Sequence, residues 1–235
     1  MLLNIDNNAK TIKGQAYGYM TGVLYLAPYT TSGHLVCPSA SPGCIEACLF
    51  TAGRGGMNIV QNARIAKTQL LFSDRQIFLT LLLDEYVRLE RKAKKEGLIP
   101  IVRLNGTSDL PWEKFKLDAC DGNNLMESYP DLQHYDYTKI FPRMIKFLEG
   151  KLPSNYYLLF SLSEENEKQA RQVLALGGSV AVVFQNGLPD TFWGYEVVDG
   201  DEHDIRYLQG QVGKVIGLKA KGRARKDTSG FVRVA

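Results

Sequence analysis

No run of apolar residues in this chain is long enough to span a bilayer, which excludes a helical membrane protein. The start, Met-Leu-Leu-Asn-Ile-Asp-Asn-Asn, has neither the basic opening nor the apolar stretch of a signal peptide. A cytoplasmic protein is therefore expected. Strong charge is missing too. A net charge of +3 over 235 residues gives no bulk argument for a polyanionic partner. There is no sequence repeat and no linker long enough to divide the chain, so residues 1–235 are expected to form a single α/β domain, with a polar segment over 1–15 and the last strand and basic tail over 217–235. Cysteine is scarce, at four residues. In a reducing compartment so few thiols suit a metal site or reactive groups better than disulfides.

What is present alternates between two hydrophobic periods. Strands are predicted at 19–29, 98–104, 134–138, 156–161, 179–184, 194–198 and 215–218. Helices are predicted from Met57, from Asp74 to Gly97, over 143–148 and over 164–176. Ser73-Asp74-Arg75-Gln76 has the capping-box pattern, and Gly97 is the matching stop. Repeated strand-then-helix units imply a mostly parallel sheet with helices outside it. The expected architecture is a partial (βα) barrel of about six strands, with an open doubly wound sheet as the other form that fits.

Three of the four cysteines fall in one window, Cys37-Pro-Ser-Ala-Ser-Pro-Gly-Cys44-Ile-Glu-Ala-Cys48, directly after the first strong strand. Three thiolates on one loop can hold three irons of a [4Fe–4S] cluster and leave the fourth open. With His34 they can close a tetrahedral zinc site, and they can also stay unligated. Cys120, distant in sequence, reads as an ordinary thiol. Ligand sites of parallel α/β folds collect at strand carboxyl ends. Asn105, Ser108 and Asp109 follow the second strand, Ser161 and Ser163 a later one, and Gln185 another. Asn105–Asp109 suits either a small polar ligand or a helix N-cap. Arg54, in Gly53-Arg-Gly-Gly56, can present a cation and backbone N–H groups to an anion. Asp136 between two tyrosines is a candidate contact. The acidic turn Asp199–Asp204 around His203 suits a cation or an exposed loop. Lys219, Lys221, Arg223 and Arg225 alternate with small residues, so on an extended chain they would share one side and could track nucleic-acid phosphates.

The stretches over 37–49, 53–55, 63–68, 103–109, 135–139 and 217–224 together resemble the bacteriophage "gene product 88" family over nearly the whole chain. That resemblance implies a phage or mobile-element origin, with the host cytoplasm as the place of action and nucleic acid as the favoured substrate class. In layout the chain is also distantly similar to radical S-adenosylmethionine enzymes. Their cysteine spacing is C-x3-C-x2-C, against C-x6-C-x3-C here. This second resemblance implies a cluster on Cys37, Cys44 and Cys48. It also implies S-adenosylmethionine held by Asn105, Ser108 and Asp109, with Ser161, Ser163 and Gln185 toward ribose or substrate. A non-catalytic, metal-stapled binding protein is the competing expectation.

Overall fold

The structure, a computed structural model, describes residues 1–5, 9–210 and 213–235. Part of the polar opening segment, residues 6–8, lies outside the described residues. The strands are β1 (Leu3–Ile5), β2 (Tyr19–Leu24), β3 (Ile99–Arg103), β4 (Gln133–Thr138), β5 (Tyr156–Ser161), β6 (Val180–Phe184), β7 (Thr191–Phe192), β8 (Tyr195–Asp199), β9 (Val215–Lys219) and β10 (Val232–Arg233). The helices are α1 (Ala9–Gln15), α2 (Pro42–Glu46), α3 (Asn58–Ser73), α4 (Arg75–Glu96), α5 (Leu125–Ser128), α6 (Phe141–Leu148), α7 (Glu167–Ala175) and α8 (Arg206–Gln209). The class is mixed α/β, as expected. The partial barrel of about six strands is not confirmed: the described residues form ten strands, mostly parallel, with no barrel closure. The strands beyond those expected, β1, β7 and β10, are two or three residues long, too short to carry a readable alternation.

The chain divides into two compact units. Unit 1 comprises Met1–Cys37, Asn62–Asp136 and Leu152–Tyr157. Its strand order is β1-β2-β3-β4, with β1 antiparallel to β2 and the rest parallel. Helix α4 covers these strands. Its buried residues Phe78, Leu82, Tyr86, Leu89 and Ala93 recur every three or four positions and make one apolar stripe. Asp74 is the cap, its carboxylate accepting from Ile77 N at 2.9 Å, and Gly97 ends the helix at φ 66°. Ser73 instead finishes α3, so the sequence pattern was right about the break and one residue early about the cap. The stripe lies close to the sheet at Gly22, where a Cβ would meet Leu89 Cδ2 at 3.0 Å and Leu3 Cδ1 at 3.1 Å.

On β4, His134 is fully buried and its Nε2 lies 2.9 Å from the Tyr86 hydroxyl. Burial pushes its pKa down to about 3, so the ring is neutral in the folded chain. Burial, then the charge of Asp136, raises the Tyr86 hydroxyl well above its usual range. The unfolded imidazole takes up a proton near pH 6.5, while the folded one resists it down to about 3. The unfolded state then binds more protons, so stability is lost as pH falls through that window, by up to about 1.4 kcal/mol per unit. Urea midpoints of wild type and His134→Phe check this. The variant, less stable at pH 7, should lose less on going from pH 6.5 to 4. Parallel losses would place the acid sensitivity elsewhere.

Unit 2 comprises Pro38–Gln61, Tyr137–Lys151 and Leu158–Ala235. Its strand order is β5-β6-β9-β8-β7, parallel except for the β7–β8 hairpin. The last strand, β10, pairs parallel with the carboxyl end of β6, Val232 opposite Val183. The C-terminal segment is therefore strapped across the end of the unit where parallel α/β proteins hold ligands.

Candidate functional site

In unit 1 the residues after β2 and after β3 are stitched together. Gly106 N donates to Leu24 O at 3.0 Å, Thr107 Oγ1 to Leu26 O at 2.6 Å and Asp109 N to Val36 O at 2.8 Å. The Cys37 sulfur receives Tyr29 N at 3.4 Å and lies 3.7 Å from Thr107 O, within reach of its S–H. From the other side, Thr68 Oγ1 accepts from Ala27 N at 2.9 Å. The base of the cysteine loop is thus fixed by backbone bonds. His34 is stacked on Phe72, with centroids 4.3 Å apart and an interplanar angle of 5°.

Asn105 is the hub of this region and is 2% exposed. Its Oδ1 accepts from Ser108 Oγ at 2.8 Å, Leu110 N at 2.9 Å and Trp112 Nε1 at 3.0 Å. Its Nδ2 donates to Leu110 O at 3.0 Å and Asp136 Oδ2 at 3.3 Å, and its backbone N to Asp136 Oδ1 at 2.6 Å. Tyr156 OH completes the set by donating to Asp136 at 2.7 Å. The helix-cap expectation for this cluster is not met. These residues cap no helix, because a 3-10 turn over Trp112–Lys114 follows, with Pro111 at its start. Asn105 and Ser108 spend their polar atoms on each other and on the loop, and Asp109 is buried beside them.

Unit 2 carries Cys44 and Cys48. Ser41 caps α2: its Oγ accepts from Cys44 N at 3.3 Å and donates to Glu164 Oε2 at 2.7 Å. Glu164 Oε1 accepts from Gly43 N at 2.7 Å. One carboxylate on the β5–α7 connection therefore holds the first turn of the cysteine-bearing helix, where negative charge is favoured. Cys44 packs on an apolar cluster of Ala47, Ala220, Ala224, Phe231 and Val232. Gly53-Arg-Gly-Gly56 is a tight 3-10 turn, in which a Cβ on Gly55 would lie 2.7 Å from Phe50 O, and Arg54 is exposed on it.

The later strand ends are equally local. Ser161 Oγ accepts from Lys139 Nζ at 2.9 Å, and Ser163 N donates to Asn166 Oδ1 at 2.7 Å. Gln185 holds the C-terminal strap, donating from Nε2 to Arg225 O at 3.1 Å and from N to Arg233 O at 2.9 Å. Asp227 ties the same strap by accepting from Val232 N at 2.9 Å and Ser229 Oγ at 2.7 Å.

Two charged segments read differently once folded. The acidic turn is built around Arg206, which is fully buried. Its guanidinium donates to Asp204 Oδ1 at 2.7 Å, Gly200 O at 2.8 Å and His203 O at 2.7 Å, and also contacts Tyr137 OH and Gln209 Oε1. The turn is thus neither a cation site nor an exposed loop. An arginine two residues past Asp204 was the available signal. The basic stripe is not built either. Lys221 pairs with Asp201 at 2.6 Å and Lys219 with Asp199 at 3.6 Å. Residues Gly222–Lys226 then coil into a 3-10 turn, which takes Arg223 and Arg225 off the extended line that a phosphate track needs.

None of the four cysteines is in a disulfide. Cys37 belongs to unit 1 and Cys44 and Cys48 to unit 2. Among the described residues, no group of three or more His, Cys, Asp and Glu side chains forms a set that could hold a metal ion. No helix among them is long and apolar enough to cross a membrane.

These features define a mixed α/β protein with ordered loops at the carboxyl ends of its parallel strands and three cysteines, none in a disulfide, on one of them. The family model for gene product 88 matches residues 1–235, and the chain belongs to that family. No curated protein and no solved structure matches it. The likeness in layout to radical S-adenosylmethionine enzymes is not supported by these comparisons.

Proposed function

We propose that this member of the gene product 88 family is an iron–sulfur protein, with Cys37, Cys44 and Cys48 as ligands and one iron left without a protein ligand. The observation that carries the reading is the C-x6-C-x3-C window, none of its cysteines in a disulfide, on the long connection that follows parallel strand β2. The support is in the sequence and in the loop's anchoring, since no ready-made metal-ion set exists among the described residues. Zinc fits less well. It draws four ligands to within about 2.3 Å of one point, and the fourth candidate, His34, is engaged in stacking. An open iron takes a chelating small molecule, and S-adenosylmethionine, with adjacent amine and carboxylate, is the first one to test.

Anaerobic reconstitution followed by iron, sulfide and zinc analysis decides it. About four irons and four sulfides per chain are expected. Cys37→Ala, Cys44→Ala and Cys48→Ala should each abolish uptake, and Cys120→Ala should not. A colourless protein carrying zinc alone would make the chain a metal-stapled binding protein instead. With the cluster reduced, 5′-deoxyadenosine formed from S-adenosylmethionine would establish the radical chemistry, and its absence would confine the cluster to another role.

A further inference from the structure

Two stretches of this chain lack acidic residues altogether. No Asp or Glu occurs from Ala47 to Ser73, and none from Ile205 to Lys226. In unit 2 the fold brings parts of both together. The 3-10 turns over Leu49–Thr51 and Gly53–Gly56 follow α2, and the 3-10 turn over Gly222–Lys226 packs against the first of them. The approach is close at Gly222, where a Cβ would lie 3.1 Å from Ala52 Cβ. Arg54, Arg223, Arg225 and Lys226 are thereby gathered on adjoining turns, and all four are exposed.

These cations differ from their neighbours along the chain. Lys219 and Lys221 are paired with Asp199 and Asp201. None of Arg54, Arg223, Arg225 and Lys226 enters an ion pair among the described residues. The basic turn is also fixed from below. Ala224 is buried in the cluster that holds Ala47, and Gln185 Nε2 donates to Arg225 O at 3.1 Å. Cations on a fixed backbone lose less freedom on binding. Large aliphatic side chains lie exposed on the same segment, Leu49 at 55% and Met57 at 53%. Leu49 belongs to the turn that meets the basic one, and Met57 N closes the Arg54 turn by donating to Arg54 O at 3.1 Å.

An arginine cluster recognises carboxylates or phosphates. Two features favour carboxylates interspersed with apolar groups. Glu46 and Asp227 share a hollow of about 180 Å³ with Arg223 and Lys226, and they repel a close row of phosphates. No aromatic side chain is exposed over residues 38–61 or 213–235, so nucleic-acid bases find no stacking platform.

We infer that these turns form a docking surface for an acidic amphipathic segment of a partner protein. Its carboxylates meet Arg54, Arg223, Arg225 and Lys226, and its apolar side chains meet Leu49 and Met57. Cys48 directly precedes Leu49, so a partner docked here lies beside the thiol loop.

The test is titration of the full-length chain, without iron, followed by fluorescence anisotropy. The probes are a synthetic amphipathic helical peptide of Glu and Leu, poly-L-glutamate and a single-stranded oligonucleotide of equal charge, and phosphatidylserine vesicles. The peptide should bind saturably, at least about threefold tighter than poly-L-glutamate, and more weakly as salt rises. Arg54→Glu and Arg223→Glu should each weaken it about fivefold. Lys95→Glu, an exposed reversal on α4 of unit 1, should change it less than about twofold. Leu49→Ser combined with Met57→Ser should erase the preference over poly-L-glutamate. All these side chains are exposed, and urea midpoints check that each variant folds; should one arginine variant fail, the other decides. The inference is overturned by no saturable binding of the peptide, by equal affinity for poly-L-glutamate, or by an equal loss with Lys95→Glu. Tighter binding of the oligonucleotide or the vesicles overturns it too, as does self-association of the free chain that Arg223→Glu abolishes. Peptide binding by a chain that takes up no iron removes the cluster and leaves the docking surface standing.

Discussion

Asn105→Ala is expected to cost about 3–5 kcal/mol of folding stability, whatever it does to function. The side chain is the shared partner of Ser108 Oγ, Leu110 N, Leu110 O and Trp112 Nε1, and it helps to satisfy Asp136. Trp112 is fully buried and Leu110 is 6% exposed, so water does not replace the lost bonds without opening the loop. Each buried polar group left alone costs about 1–3 kcal/mol, and partial relaxation keeps the total below the plain sum. Asn105→Asp should fare no better, because it sets a second carboxylate against buried Asp136. Urea unfolding followed by tryptophan fluorescence reads both. A loss under about 1 kcal/mol for Asn105→Ala would show that the hub is not structural. Asn105 would then return as a ligand contact.

The same residue shows how far the sequence could be read. That Asn105, Ser108 and Asp109 form a polar group after a strand was plain from their order. Which way they face was not, since burial depends on Trp112, Asp136 and Tyr156, and the last two arrive from strands distant along the chain. Elements with long periods were legible: α4 announced itself through its stripe and its Asp74 and Gly97 ends, and β5 through an unbroken apolar run. Strands of two or three residues, β1, β7 and β10, carry no period and were missed, and with them the strap and the true strand number. The paired charges failed for another reason. Lys219, Lys221, Asp199 and Asp201 look like two separate runs along the chain, and only the parallel pairing of β8 with β9 sets them side by side. Glu164 was visible as part of a polar segment. Its role was hidden because its partners lie more than 120 residues earlier, 121 positions away in the case of Gly43.

Gly43→Ala is expected to destabilise unit 2 by about 1–3 kcal/mol, the cost of overpacking a tight contact. The sign is the informative part. Within an ordinary exposed helix, glycine to alanine stabilises by about 1 kcal/mol, and the φ of Gly43 is not in the left-handed region, so the backbone raises no objection. Space does. A Cβ here would lie 2.1 Å from Ser229 Oγ, 2.8 Å from Glu164 Oε1 and 2.9 Å from Phe231 Cβ. Ser229 cannot simply rotate away, because its hydroxyl donates to Asp227 at 2.7 Å and accepts from Phe231 N at 3.2 Å. Relief must come from moving the strap or from breaking the Glu164 bond to Gly43 N. Either movement loosens the helix that carries Cys44. Hydrogen exchange at Phe231 and Val232 should therefore quicken in Gly43→Ala, and Cys44 should alkylate faster. Adding Ser229→Ala removes the nearest atom and should recover part of the stability, while the Phe231 and Glu164 contacts keep it below wild type. Glu164→Gln, which keeps the shape and removes the charge, should cost less than Gly43→Ala and should also speed alkylation of Cys44. A Gly43→Ala variant as stable as wild type, with unchanged exchange in the strap, would mean that the carboxylate and the strap do not clamp the thiol loop.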